Sequence, residues 1–384
     1  MRILLIQPEY RSAIIGFRRA AIPEPLGLEM LAAVASDHDC HILDMRLEGD
    51  MDAVFSALAP DMVAVTALTP EVYAARDVLE RVKRLDREVF TVVGGHHASL
   101  LPDDFRLPSV DAIALGEGEM VFPHLIRELE KGRDLHRVPG LIWKDDEGEF
   151  FTNPLGQTEL DMDGLPLPRR DLTSRYRDEY FFLFHKPDSS VVTGRGCPYR
   201  CNFCSVWKFY DGRTRQMSAQ RVVREVASID TDHITFVDDN FLMNYRREGA
   251  IADAIRAEGI QKCYSMECRT DSIVRHPDLV AKWVDIGLYA VLLGLEGSDQ
   301  MLRSVNKKNT ARVNDEAIRI LQDLGVIIWG AFIVDPSWSV DDFRRLGDYV
   351  KSQRITHTQF TVLTPLPGSD LWQQIGRASC RERV

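Results

Sequence analysis

The chain opens on a short, nearly unbroken apolar run, Arg2–Gln7, and similar runs recur at Cys40–Leu43, Met62–Thr66, Phe90–Val93 and Ala112–Leu115. Short continuous apolar runs between turn residues mark strands covered on both faces, as in a parallel sheet. Between them the apolar residues take helical spacing, over Leu26–Ser36, Pro70–Leu85 and Met120–Lys131. This alternation predicts a helix-covered α/β sheet over residues 1–135. Gly140–Lys144 and Glu149–Asn153 then read as a hairpin around Asp145–Gly148, and the acidic, proline-bearing Leu160–Pro168 suits an extended linker. Hairpin and linker together occupy 136–186. From Pro187 the alternation resumes, with strands expected at Ser190–Thr193, His233–Val237, Tyr264–Cys268, Ala290–Leu295, Ile327–Val334 and Thr358–Leu363. A second α/β domain is therefore expected over 187–374.

The length of 384 residues agrees with two domains, and 45% hydrophobic with 27% charged residues are globular proportions. Seven cysteines without paired spacing point to a reducing compartment, so a cytoplasmic location is expected. The N-terminal run is too short for a signal peptide or a membrane span. A net charge of −11 argues against non-specific nucleic-acid binding. The last ten residues, 375–384, resemble the read-through of a sequencing adapter and break off a helical start at Ser369–Gln374. On that reading Cys380 carries no meaning and the natural chain continues beyond Gln374.

Chemistry enters with Arg195-Gly-Cys-Pro-Tyr-Arg-Cys-Asn-Phe-Cys204, which spaces Cys197, Cys201 and Cys204 as C-x3-C-x2-C just after a strand. Three thiolates on one loop hold three irons of a cubane cluster and leave the fourth iron open. An open metal position is a place for reaction, whereas a structural site closes its coordination. A zinc knuckle is the plainer alternative. Its fourth ligand would have to be Cys263 or Cys268, far downstream and at an unusual zinc spacing. A closed cluster serving only structure or electron transfer is the other.

Ligands of open α/β sheets sit beyond the carboxyl ends of the strands. In the first domain these ends carry Asp44, Arg46 and Gly49, then Thr66 and Leu68, then Gly94, Gly95 and His96, then Gly116 and Gly118. The glycines admit close backbone approach to a bulky ligand. Singly, each is equally an ordinary turn. In the second domain the ends carry Asp238, Asp239 and Asn240, then Glu267 and Arg269, then Glu296. Acidic and basic groups together suit an amino-acid zwitterion, although carboxylates at helix entrances also serve as caps. Trp207, Phe209, Tyr210, Phe241, Trp329 and Trp338 either line a greasy substrate cavity or pack the interior.

The cysteine loop resembles the signature of the radical S-adenosylmethionine (SAM) enzymes. The strand-end series ahead of it resembles the cobalamin-binding domain found before many of them. Across Met1–Gln374 the order is similar to the cobalamin-dependent radical SAM family, with Cys197–Tyr210, Phe236–Asp239, Glu267–Arg269 and Gly294–Glu296 most similar to the hopanoid C-3 methylase group. The resemblance also extends to the anaerobic magnesium-protoporphyrin ester cyclase, and Glu24-Pro-Leu-Gly-Leu-Glu29 recurs in this branch.

The resemblance implies a flavodoxin-like (Rossmann-type) cobalamin-binding domain followed by a partial (β/α)6 radical SAM barrel. It implies a 4Fe–4S cluster on the three cysteines, SAM chelated at the open iron, Phe203 beside the adenine and backbone and acidic contacts at Asp238, Asp239 and Asn240 for the SAM amino group. The first-domain loops would enclose the corrinoid's nucleotide tail. Methionine-synthase-type proteins carry D-x-H-x-x-G, whose histidine ligates cobalt; Arg46 stands at that position here, and a guanidinium stays protonated. The implied reaction passes an electron to SAM, forms a 5′-deoxyadenosyl radical, abstracts hydrogen from an unactivated carbon and delivers a methyl group from methylcobalamin. The expected partners are a small-molecule or lipid substrate, with peripheral membrane location for a lipid, and an electron donor such as a flavodoxin or ferredoxin. Radical oxidation, cyclisation or rearrangement is the alternative chemistry, and a non-catalytic corrinoid or redox sensor the alternative class.

Overall fold

A computed structural model of the chain describes residues 1–9, 20–156, 159–183 and 185–375. Apart from Ile375, the tail read as adapter-derived lies outside the described residues. The chain divides between Lys186 and Pro187 into two compact units.

In the first unit β1 (Arg2–Gln7), β2 (Asp39–Asp44), β3 (Met62–Thr66), β4 (Phe90–Gly94) and β5 (Ala112–Ala114) run parallel in the order β2-β1-β3-β4-β5. Leu4, Ile6, Val63, Val65 and Val93 pack on one face with the helix Val72–Leu85. Ile3, Leu5, Ala64 and Val92 pack on the other, against the helices Leu26–Val34 and Gly118–Lys131. Burial on both faces is why these strands read as unbroken apolar runs. The strand order changes direction beside β1, which is where such sheets open a crevice for ligands.

The hairpin does more than join domains. Its strands β6 (Leu141–Lys144) and β7 (Phe150–Thr152) extend the sheet, with β6 antiparallel to β5 through Ile113 and Ile142. Leu141 and Ile142 continue the two apolar faces, and Trp143 stacks on Phe151 at 5.1 Å. Beyond the linker, Arg170–Glu179 forms a run of 3₁₀ turns.

That run explains the acids of Glu24-Pro-Leu-Gly-Leu-Glu29. Both are buried; Glu24 accepts from Arg170 Nε at 3.0 Å, and Glu29 accepts from the Thr173 hydroxyl. A Cβ at Gly27 would meet no protein atom within 4 Å. Burial, with Glu24 adding and Arg170 opposing, pushes the Glu29 carboxyl up to about 8. The native state therefore keeps a proton that the unfolded chain loses near pH 4 to 5. Stability from this group is complete below that range and is lost as pH rises through about 8. Urea unfolding of Glu29→Gln should show a flatter decline between pH 5 and 8.5 than the parent; identical slopes would refute the assignment.

In the second unit six parallel strands stand in sequential order: β8 (Asp188–Val191), β9 (His233–Phe236), β10 (Cys263–Cys268), β11 (Leu288–Gly294), β12 (Ile327–Val334) and β13 (His357–Val362). Helices lie between successive strands, among them Ala219–Ala227, Tyr245–Ala257, Pro277–Asp285, Ala311–Asp323 and Val340–Ser352. Sequential parallel strands with intervening helices, left open at both edges of the sheet, make a partial β/α barrel. Phe241 packs with Phe236 and Trp283 at 4.6 and 5.2 Å, so of the proposed cavity aromatics this one belongs to the interior. Among the described residues no helix is long and apolar enough to cross a membrane.

Candidate functional site

β8 ends at Val191, and the segment beyond it is tied down before the first cysteine arrives. Asp238 accepts from Thr193 N and from its hydroxyl, both at 2.6 Å, and Asp239 accepts from Gly196 N at 2.8 Å. Both carboxylates therefore position the loop. Burial raises the Asp238 carboxyl to about 6, with Thr193 opposing, so near neutral pH it accepts as an anion. Gly196 has φ +87°, and a Cβ there would lie 2.1 Å from the Arg213 carbonyl oxygen. Only glycine fits.

The loop Cys197–Cys204 is then braced from outside by Ser304–Lys308. Asn202 donates through its backbone to Val305 O at 3.1 Å and through Nδ2 to Ser304 O at 2.7 Å. Asn306 Nδ2 donates to Arg200 O at 2.6 Å. Arg269 lies 3.6 Å from the Tyr199 ring centre, donates to Asp271 at 2.8 Å and holds the Lys307 carbonyl at 2.8 Å. Thus Arg269 shapes the loop around it.

Cys197, Cys201 and Cys204 are close enough to feel one another's charge, and burial pushes all three thiols upward, Cys204 to about 12. At Cys201, Lys307 and Arg269 oppose the rise. Among the described residues no three His, Cys, Asp or Glu side chains converge on a single metal ion. A cubane asks for a wider spread, because each thiolate meets a different iron, and a coordinating metal deprotonates thiols outright. The loop fits a cluster better than one ion.

Two groups beside the loop are suited to a small polar ligand. Asn240 is buried; its Oδ1 accepts from Arg269 N at 3.2 Å, while its Nδ2 has no partner. Glu267 is exposed by surface area, although protein atoms lie close around its carboxyl. Desolvation lifts its carboxyl to about 7, against Lys307, with Asp239 and Glu296 adding. Glu296 itself is buried and paired with Lys307, whose ammonium also donates to Gly294 O at 2.8 Å. Phe203 and Trp338 each pack against a small core of Met301, Val305 and Ile333. Met301 and Trp338 also line a cleft of about 730 Å³ with Asp335 and Tyr349.

Lys307 escaped the sequence reading. It lies in a polar stretch well past the strand end that it serves, and only a lysine four residues before a helix marked it. Lys307→Met should lower stability by about 3–5 kcal/mol, because it leaves Glu296 buried and unpaired. Lys307→Arg should keep most of that stability in the same urea titration, and an unchanged midpoint in Lys307→Met would refute the pairing.

In the first unit the strand ends β3, β4 and β5 bring Thr66, Gly94, Gly95, Gly116 and Gly118 around one small apolar cavity, closed by Leu28 and Leu31. Gly95 has φ +98°, and its Cβ would press on Thr66 Oγ1 at 2.9 Å. Walls without side chains suit a flat ring. His96 begins a short helix, His96–Leu100, and burial lowers it to about 4, so it is neutral. Leu68 is 47% exposed and Gly49 lies on the surface, so both stand apart from the cavity. Arg46 folds back on Asp44, donating from Nε at 2.8 Å and from Nη2 at 2.5 Å, and reaches Pro23 O at 2.8 Å. Tyr180 OH donates to the same carboxylate at 3.2 Å. The sequence reading missed Tyr180, which lies outside any motif.

Comparison with known proteins gives these sites a family. The B12 binding domain matches residues 13–126, and the radical SAM superfamily matches 191–350. An uncharacterised methyltransferase of Pyrococcus horikoshii is 31% identical over 389 residues, covering 97% of this chain and 83% of that protein. The hopanoid C-3 methylase of Methylococcus capsulatus is 32% identical over 369 residues, with 92% and 69% covered. The anaerobic magnesium-protoporphyrin IX monomethyl ester cyclase of Rubrivivax gelatinosus is 28% identical over 396 residues, with 98% and 70% covered. Among solved structures, the cobalamin-dependent SAM radical enzyme OxsB with aqua-cobalamin and SAM bound superposes with a TM-score of 0.78 at 19% identity. That match covers 100% of this chain and 61% of OxsB, and at such identity it speaks for the fold alone. The chain belongs to the cobalamin-dependent radical SAM family of enzymes, whose cofactors are cobalamin, SAM and a 4Fe–4S cluster.

Proposed function

We propose that the chain is a methyltransferase that adds a methyl group to an unactivated sp3 carbon, with an isoprenoid lipid such as a hopanoid as substrate class. The observation that carries this reading is the braced three-thiol loop, with Asn240 and Glu267 beside it. When bound, the cluster supplies the electron that splits SAM, and cobalamin carries the methyl group.

Cys197, Cys201 and Cys204 would hold three irons. Glu267 and Asn240 would take the polar end of SAM. Of the three residues expected from sequence at this position, Asp238 has both oxygens committed to Thr193 and Asp239 accepts from Gly196 N, which leaves Asn240. Phe203 and the cleft bounded by Met301 and Trp338 offer a place for the adenosyl group, and about 730 Å³ is ample room. The glycine-walled cavity at Thr66, Gly94, Gly95 and Gly116 would receive the nucleotide tail. Arg46, held by Asp44, offers cobalt no protein ligand, which suits a centre that gives up its methyl group. The substrate class is supported by the 32% identity to the hopanoid methylase.

A second reading, oxidative cyclisation, is supported by the cyclase that is similar along 98% of this chain. Anaerobic incubation of reconstituted protein with reductant, cobalamin, methyl-labelled SAM and hopanoid lipids separates the two. Labelled methyl recovered on lipid carbon supports methyl transfer. Deoxyadenosine formed without any labelled lipid would refute the hopanoid reading.

A further inference from the structure

The loop that carries the three thiols has a neck. Its two ends run side by side as a two-stranded antiparallel ribbon, Gly194–Arg195 against Arg215–Gln216. Where the ribbon closes, Met217 N donates to Thr193 O at 2.8 Å, and both residues are buried. The cysteines lie between these two points, so the closure governs where the whole loop stands. Asp238 holds one side of the neck through Thr193 N and its hydroxyl. The other side is held by a residue outside every motif of the sequence.

Arg247 lies in the first turn of the helix Tyr245–Ala257, the helix that follows β9. Its Nε donates to Met217 O at 2.6 Å and its Nη2 to Thr193 O at 2.7 Å, so one guanidinium spans the exit and the entrance of the loop. Its Nη1 donates to Glu248 Oε1 at 3.0 Å. The Glu248 side chain is fully buried and that of Arg247 is 10% exposed. A planar fork engaged through all three nitrogens, with an anion beside it, is fixed in direction. Asn244 adds to the grip, its Nδ2 donating to Gln216 Oε1 at 3.3 Å. A buried ion pair is by itself weak evidence for stability. What gives this one a role is its aim, at both ends of a single loop.

We infer that Arg247 is a positioning residue for the cluster loop: by clasping the Thr193 and Met217 carbonyls it fixes where Cys197, Cys201 and Cys204 stand relative to Asn240 and Glu267 at the strand ends. The inference rests on the cluster reading above and is independent of which carbon the enzyme methylates. Arg247 acts through the two carbonyls. Its fork matters as much as its charge, because a lysine keeps the charge as a point donor on a flexible stem and cannot hold two carbonyls in one fixed geometry. SAM would be held jointly by the open iron and by Asn240 and Glu267, so a shifted loop weakens that joint hold. A misplacement of about 1 Å between reacting groups can cost on the order of a hundredfold in rate.

The test compares Arg247→Lys with the parent, first without any cofactor. In the apoprotein, amide hydrogen exchange should quicken at Met217 and along the ribbon, while the helix core around Ile251–Ile255 keeps the parent rate. In the reconstituted, reduced protein, the KM for SAM in deoxyadenosine formation, counted per loaded cluster, should rise at least about fivefold. The electron paramagnetic resonance spectrum of the reduced cluster with SAM should change as well. Arg247→Met, which removes fork and charge together, should raise KM further; if it does not fold, Arg247→Lys carries the test alone. A role confined to stability would lower the urea midpoint yet leave KM per cluster and the spectrum at their parent values. That result in Arg247→Lys overturns the positioning role. A parent protein that takes up no iron and sulfide overturns the cluster reading beneath it.

Discussion

Replacing any one of Cys197, Cys201 or Cys204 by alanine is expected to abolish SAM cleavage, with a loss of at least about a thousandfold and no further loss in the triple variant. Residues that act as one unit fail together, so single and combined removals cost about the same. Each thiolate is the sole protein ligand of its iron in a three-cysteine cluster. The braced loop offers no substitute: among the described residues Cys263 and Cys268 lie on β10, where burial keeps Cys268 inert. Deoxyadenosine production by the reduced, reconstituted variants is the measurement. A single variant with more than a few per cent of parent activity would mean that the loop does not hold the reacting iron.

Gly196→Ala is expected to lose most of the cluster although all three thiols remain. The added Cβ would sit 2.1 Å from the Arg213 carbonyl oxygen, and that backbone cannot yield without disturbing the ribbon that frames the loop. The left-handed backbone at φ +87° adds a cost of about 1–2 kcal/mol. The two together should destabilise the unit by roughly 3 kcal/mol or more. Gly212→Ala is the control. Gly212 has φ +68° but open space around its Cβ, so it bears the backbone cost alone. Iron and sulfide per chain should fall several-fold in Gly196→Ala and stay near the parent value in Gly212→Ala. Equal cluster content in both would show that the close approach at Gly196 does not govern assembly.

The strands were legible in the sequence because burial on both faces leaves no polar alternation to blur them, as in Ile3–Ile6 and Met62–Val65. The cysteine loop was legible because its ligands are local. What escaped depends on distances between elements. Asp238 and Asp239 were visible at the end of β9, but nothing in the local sequence says that their oxygens are taken by Thr193 and Gly196. Lys307 reaches Glu296 only because the Ser304–Lys308 segment returns to the strand ends. The hairpin's role in the sheet, and the grip of Glu24 and Glu29 on Arg170 and Thr173, follow from packing between segments far apart in the chain. Such pairings have no period to read.

The central claim is an iron, within the three-thiol cluster, that is free to bind the amino and carboxylate groups of SAM. Electron–nuclear double resonance on the reduced protein, with SAM labelled by 15N in the amino group and 17O in the carboxylate, tests it most directly. The account expects hyperfine couplings from both labels that vanish when SAM is withheld. A reduced-cluster spectrum with neither coupling at saturating SAM would contradict it.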